Sequence, residues 1–172
     1  GDGLGVVAGA VGDDAAGAGI GVETRDCMHG AAGLERADAL EVLEVDEPGP
    51  GDGVLVDVHA AGVAFPDVLL SRGLYQYRPE PPFTLGAEVA GVVRSAPEGA
   101  TVRPGDRVVG LTMLSGAMAE TAVLPANQVF ELPDTVSFEA GAGLLFNDLT
   151  VYFGLTSRGR LTAGESVLVH GA

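Results

Sequence analysis

The feature that most constrains this chain is a succession of short, Val-rich segments between about residues 54 and 133, each closed by Gly or Pro. VLVDVHAAGV (54–63) has period-2 character, with Val54, Val56 and Val58 on one side and Asp57 and His59 on the other, the alternation of a half-buried strand. ALEVLEV (39–45) alternates in part, and EPGPGDG (47–53) is a turn cluster. LGAEVAGVVRSA (85–96) predicts a buried strand, and further strands are expected at 106–112, 117–125 and 128–133. FPDVLLSRG (65–73) fits a short helix that starts beside a proline and stops at Gly73. YQYRPEPPF (75–83) is a loop, because its three prolines break any ladder. Many short strands joined by tight turns predict a mainly β fold, a barrel or a sandwich.

The texture differs at both ends. Residues 1–33 hold ten of the 27 glycines and seven alanines, with no period of 2 or 3.6. Such a stretch buries too little surface to offset its ordering entropy, so a disordered tail is expected over 1–33, with Met28 a candidate natural start. GDGLG (1–5) and GAGIG (17–21) do not join a strand to a helix, as a phosphate-binding loop requires. Beyond the strands, Ser137 is placed to cap a helix over 137–145. Leu149, Tyr152, Phe153 and Leu155 fall at helical spacing within 147–160, with Arg158 and Arg160 at the end that favours cations. TAGESVLVHGA (162–172) reads as a turn and an all-apolar strand.

Composition excludes several roles. The 172 residues carry 24 acidic and 9 basic side chains, a net charge of −15, and every basic residue is Arg. Without a basic cluster the chain is a poor partner for nucleic acid or for an anionic membrane surface. No run of about 18 apolar residues suggests a transmembrane helix. The first 22 residues contain no basic residue, unlike a secretory signal. The single cysteine, Cys27, excludes an internal disulfide framework. A cytoplasmic protein is the expectation.

Nine blocks then occur in one order: GPGDGVLVDVHAAGV, Pro66-Asp67, RGLY (72–75), LGAEVAGVV (85–93), PGDRVVGL (104–111), AETAVLP (119–125), LPDTVSFEAGAGL (132–144), LTVYF (149–153) and LTAGESVLVHGA (161–172). This series resembles the N-terminal, catalytic half of the medium-chain dehydrogenase/reductases, in the zinc-independent quinone oxidoreductase (zeta-crystallin-like) branch. The resemblance covers roughly residues 38–172. It implies a GroES-like, partly open β-barrel with covering helices over 34–145. It also implies that 146–172 is a linking helix and the first strand of a Rossmann-type domain whose remainder is missing here. Family members continue beyond that strand into a Gly-rich turn that holds the cofactor pyrophosphate at a helix N-terminus.

The resemblance also assigns chemistry. Zinc-dependent members carry Cys where this chain has Ala64 and His where it has Ala87. A catalytic zinc needs three protein ligands, so no metal site is expected. The implied reaction passes hydride from NADPH to a quinone or an α,β-unsaturated carbonyl, the protein positioning the two and excluding water. Tyr75 matches the tyrosine that lies near the nicotinamide and serves as proton donor in related enoyl reductases. Thr150 matches the threonine at the nicotinamide carboxamide, although a helix hydroxyl can instead bond back to its own chain. Asn147 lies on the same helical face as Thr150 and is a further cofactor contact. Ala64 replaces an asparagine usual in the branch, and Phe65 beside it would narrow the substrate pocket. Asp67 reads as a carboxylate favourable to a helix N-terminus, and His59 and His170 read as structural. A full-length relative would be a candidate homodimer. The competing expectation is a non-catalytic GroES-like fragment or interaction module that binds no cofactor.

Overall fold

A computed structural model describes residues 20–21, 28–30, 40–42, 47–49, 51–79, 83–112 and 116–170. Eight strands run in chain order as β1 (Ile20–Gly21), β2 (Met28–Gly30), β3 (Leu40–Val42), β4 (Val54–Ala61), β5 (Glu88–Ser95), β6 (Arg107–Leu111), β7 (Thr121–Leu124) and β8 (Val129–Glu131). Helix α1 (Phe65–Ser71) lies between β4 and β5, and α2 (Phe138–Gly141) and α3 (Leu149–Tyr152) follow β8. Of the 1–33 tail, Ile20–Gly21 and Met28–Gly30 are described, pairing with Ala61–Ala60 and Val42–Leu40. The rest of it, Cys27 included, lies outside the described residues.

One antiparallel sheet runs β1-β4-β5-β6-β8, with β7 also paired to β4, and it does not close. The strands form where period-2 and all-apolar Val segments meet turn residues. Gly73 and Gly105 supply the left-handed backbone that follows α1 and precedes β6. At the crossing of β4 and β5 the register shifts after Val58, so that His59 bulges out of the ladder. A Cβ at Gly91 would collide with the Asp57 carbonyl on the neighbouring strand, so this approach requires glycine.

Burial on both faces explains why β5 reads as continuously apolar rather than alternating. On the inner face, Val54, Val56, Val58, Val89, Val93, Val108, Leu124 and Met118 form the main core. Each large side chain here contributes about 1.5–3 kcal/mol by leaving water. On the outer face, Ala60, Ala90, Val109, Leu132 and Ala142 form a second cluster under Phe138, Leu144 and Leu145. Ser137 caps α2 as expected, its hydroxyl accepting from Ala140 N at 3.2 Å. Phe138 lies between the exposed His59 ring, 4.4 Å away, and the Arg107 guanidinium, 4.0 Å from the ring centroid. Arg107 also donates to the Val136 carbonyl at 2.6 Å. These contacts fasten α2 to the sheet and so aim the segment after it.

That segment is helical from Leu144 to Arg158, but α3 is flanked by wider π-type turns at Leu144–Asp148 and Phe153–Arg158. Its apolar stripe is exposed, with Leu149, Tyr152 and Phe153 all open to solvent. Of the buried strand expected at VLVHGA (167–172), residues 167–170 have no ladder partner among the described residues, and Leu168 is 78% exposed; 171–172 lie outside the described residues. A strand needs a neighbouring backbone to pair with, and none of the described ladders includes these residues.

Candidate active site

Three stretches meet at one end of the sheet: the turn from β4 into α1 (62–67), the entry to β5 (84–88) and the start of the 144–158 helix. Two buried carboxylates join them. Asp67 sits in the first turn of α1, where its Oδ2 accepts from Ala64 N at 2.8 Å and its Oδ1 accepts from Gly86 N at 3.1 Å. One side chain thus caps α1 and holds the two loops together. Burial pushes the Asp67 carboxyl above its ordinary range, against the opposing pull of those two N–H groups. Thr112 adds a hydroxyl bond to the Gly86 carbonyl at 2.9 Å.

Glu88, at the start of β5, is 2% exposed. Its Oε2 accepts from Leu145 N at 3.0 Å and from Phe146 N at 2.8 Å. Its Oε1 is buried with no hydrogen-bond partner. Burial pushes this carboxyl up to about 7. The Phe146 and Leu145 amides oppose the shift, and the negative charges of Asp148 and Asp67 add to it. Gly62 makes room for the group: a Cβ there would collide with the Ala142 carbonyl and lie 2.7 Å from Glu88 Oε1. From the sequence, Glu88 stands only as the last possible ligand of the zinc-dependent pattern, one being too few for a metal. The available signal was a carboxylate inside the otherwise apolar LGAEVAGVV, because a charge there must be paired, bonded or neutralised.

The sequence-derived residues fall around this junction. Ala64 is buried, with its amide on Asp67, and Ala87 is buried next to Glu88. Asp67 thus ties Ala64 to Gly86, the neighbour of Ala87, and neither alanine side chain carries a donor atom for a metal. Both Asp67 oxygens and Glu88 Oε2 already accept backbone bonds, and no group of three or more His, Cys, Asp or Glu suited to a metal exists among the described residues. Phe65 is 72% exposed at the start of α1. Tyr75 is half-buried and packs against the main core. Asn147 follows directly on the Glu88-bound amides and is half-buried. Thr150 is exposed, and its hydroxyl donates to the Phe146 carbonyl one turn earlier. Asn147 and Thr150 share the helix that Glu88 holds, whereas Tyr75 lies in the loop after α1 and packs on the main core. His59 and His170 are exposed and outside the junction.

Comparison with known proteins agrees with this architecture. The alcohol dehydrogenase GroES-like domain family matches residues 49–134. Quinone oxidoreductase from Rattus norvegicus is 40% identical over 120 residues, covering 69% of this chain and 36% of its own length. A synaptic vesicle membrane protein VAT-1 homolog from the same species is 44% identical over 124 residues, covering 72% and 30%. Quinone oxidoreductase from Thermus thermophilus, solved also in complex with NADPH, superposes with a TM-score of 0.68 at 33% identity, covering 84% of this chain and 44% of that one. The chain spans about a third of the length of the curated relatives it matches. No helix among the described residues is long and apolar enough to cross a membrane. The chain belongs to the alcohol dehydrogenase GroES-like domain family, in the quinone oxidoreductase branch of the medium-chain dehydrogenase/reductases.

Proposed function

We propose that the protein carrying this chain reduces a quinone or an α,β-unsaturated carbonyl at the expense of NADPH, without zinc, and that this chain supplies the substrate half. The observation that carries the reading is that Asp67 ties Ala64 to Gly86, the neighbour of Ala87, in a buried junction where neither alanine offers a donor atom. Two ligands of a catalytic zinc are methyl groups, and three are needed. NADPH, when bound, supplies hydride. The chain's own residues do the rest. Asn147 and Thr150 offer an amide and a hydroxyl to the nicotinamide carboxamide, and the Thr150 hydroxyl can accept while it donates to Phe146. Ala64 and Phe65 shape the apolar wall against which a planar substrate lies. With an enone, the Tyr75 phenol gives its proton to the carbon left electron-rich, and solvent restores the phenol. In this reading 34–145 is the substrate domain, and 146–172 leads into the nucleotide-binding domain.

The test is steady-state kinetics on the whole protein that carries this chain. Tyr75→Phe lowers kcat for an enone by about 100-fold with the KM for NADPH unchanged. Thr150→Val and Asn147→Ala raise the KM for NADPH instead. Wild-type kcat in Tyr75→Phe removes the proton-donor role. An unchanged KM in both other variants removes the cofactor face and leaves a GroES-like module without cofactor binding.

A further inference from the structure

The break between α2 and the 144–158 helix is bridged by a side chain. In a continuous α-helix, Leu145 N and Phe146 N would donate to the Gly141 and Ala142 carbonyls. Here both amides donate to Glu88 Oε2. The other carboxyl oxygen, Oε1, is buried without a partner. It crowds the point above Gly62 that the Ala142 carbonyl also crowds. A carboxylate there would leave a buried negative oxygen without a donor and near a carbonyl oxygen. A carboxylic acid would turn Oε1 into a donor, with the Ala142 carbonyl as the neighbouring acceptor.

We propose that Glu88 is a positioning residue that works as a neutral acid: Oε2 takes the two amides, Oε1–H donates to the Ala142 carbonyl, and this two-way bridge fixes the helix bearing Asn147 and Thr150 on the barrel. The importance of that helix for the cofactor rests on the proposed function; the bridge itself does not. The charged groups acting on Glu88 are Asp67, from α1, and Asp148, from the helix itself, both negative. Each therefore favours the protonated form, as burial does. Loss of the proton loosens the helix, so the placement of Asn147 and Thr150 becomes sensitive to pH near neutrality.

Amide hydrogen exchange on the 172-residue chain tests this without NADPH, so its outcome is separate from that of the kinetic test. After correction for intrinsic exchange, opening of 144–158 in the wild type should rise about tenfold between about pH 6 and about pH 8. Amides of β4, β5 and β6 should stay unchanged. Glu88→Gln keeps one acceptor and one donor, so it should hold the helix closed at both pH values. Glu88→Ala should leave the helix open at both. A wild-type helix whose opening is independent of pH, or one already unprotected at about pH 6, overturns the proposal. So does Glu88→Gln opening as Glu88→Ala does. If Glu88→Ala does not fold, the comparison of wild type with Glu88→Gln decides alone.

Discussion

Glu88 and Gly62 show how much single residues decide here. The Glu88 carboxyl is raised from its ordinary 4.5 to about 7 in the folded chain. The fold thus favours the protonated form. That stabilisation is full below about pH 4.5 and is lost as pH rises through about 7. Glu88→Gln should therefore raise stability at about pH 8 by on the order of 2 kcal/mol, solvent screening allowed for, and change little at about pH 4. Urea denaturation at the two pH values reads the difference; an equal effect at both would contradict it. Gly62 is the matching constraint on the backbone. Gly62→Ala forces a methyl onto the Ala142 carbonyl and Glu88 and should cost about 2–3 kcal/mol, visible as a lower urea midpoint. Sequence alone identified Ala64 and Ala87 as positions without metal donors. It did not reveal Glu88 as the joint, because its partners Leu145 and Phe146 lie 57 and 58 residues away.

At the scale of elements, local patterns were the most legible. The Val alternation of 54–63 became β4, and LGAEVAGVV became β5, buried on both faces. Pro66 and Gly73 bracketed α1. Ser137 was read as a cap and is one, although α2 is a single turn. Ser137→Ala should cost about 1 kcal/mol and loosen α2, measurable as a lower thermal midpoint with Phe138 less shielded from quenchers. The π-type turns around α3 had no counterpart in the sequence. The first, at Leu144–Asp148, goes with the tertiary bonds that take Leu145 N and Phe146 N away from the helical ladder, and i, i+3, i+4 spacing carries no record of that. The bulge at His59 was hidden for the same reason: β-strand alternation looks intact around it.

At the scale of the whole molecule, the open sheet and its two cores follow the ordered blocks, but the last quarter does not stand as a layer. Leu149, Val151, Tyr152 and Phe153 on the helix, and Val167, Leu168 and Val169 after it, are exposed. Their sequence is that of an interior, and its covering surface is not in the described residues. The net charge of −15 opposes self-association of this apolar surface. The whole protein is proposed to carry out a nicotinamide-dependent reduction at a junction that holds no metal. The most direct measurement is NADPH oxidation with a quinone acceptor, by the whole protein that carries this chain, before and after exhaustive chelation. Turnover should be unchanged by chelation and not raised by added zinc. Turnover that chelation abolishes and zinc restores, or no NADPH oxidation at all, would contradict it.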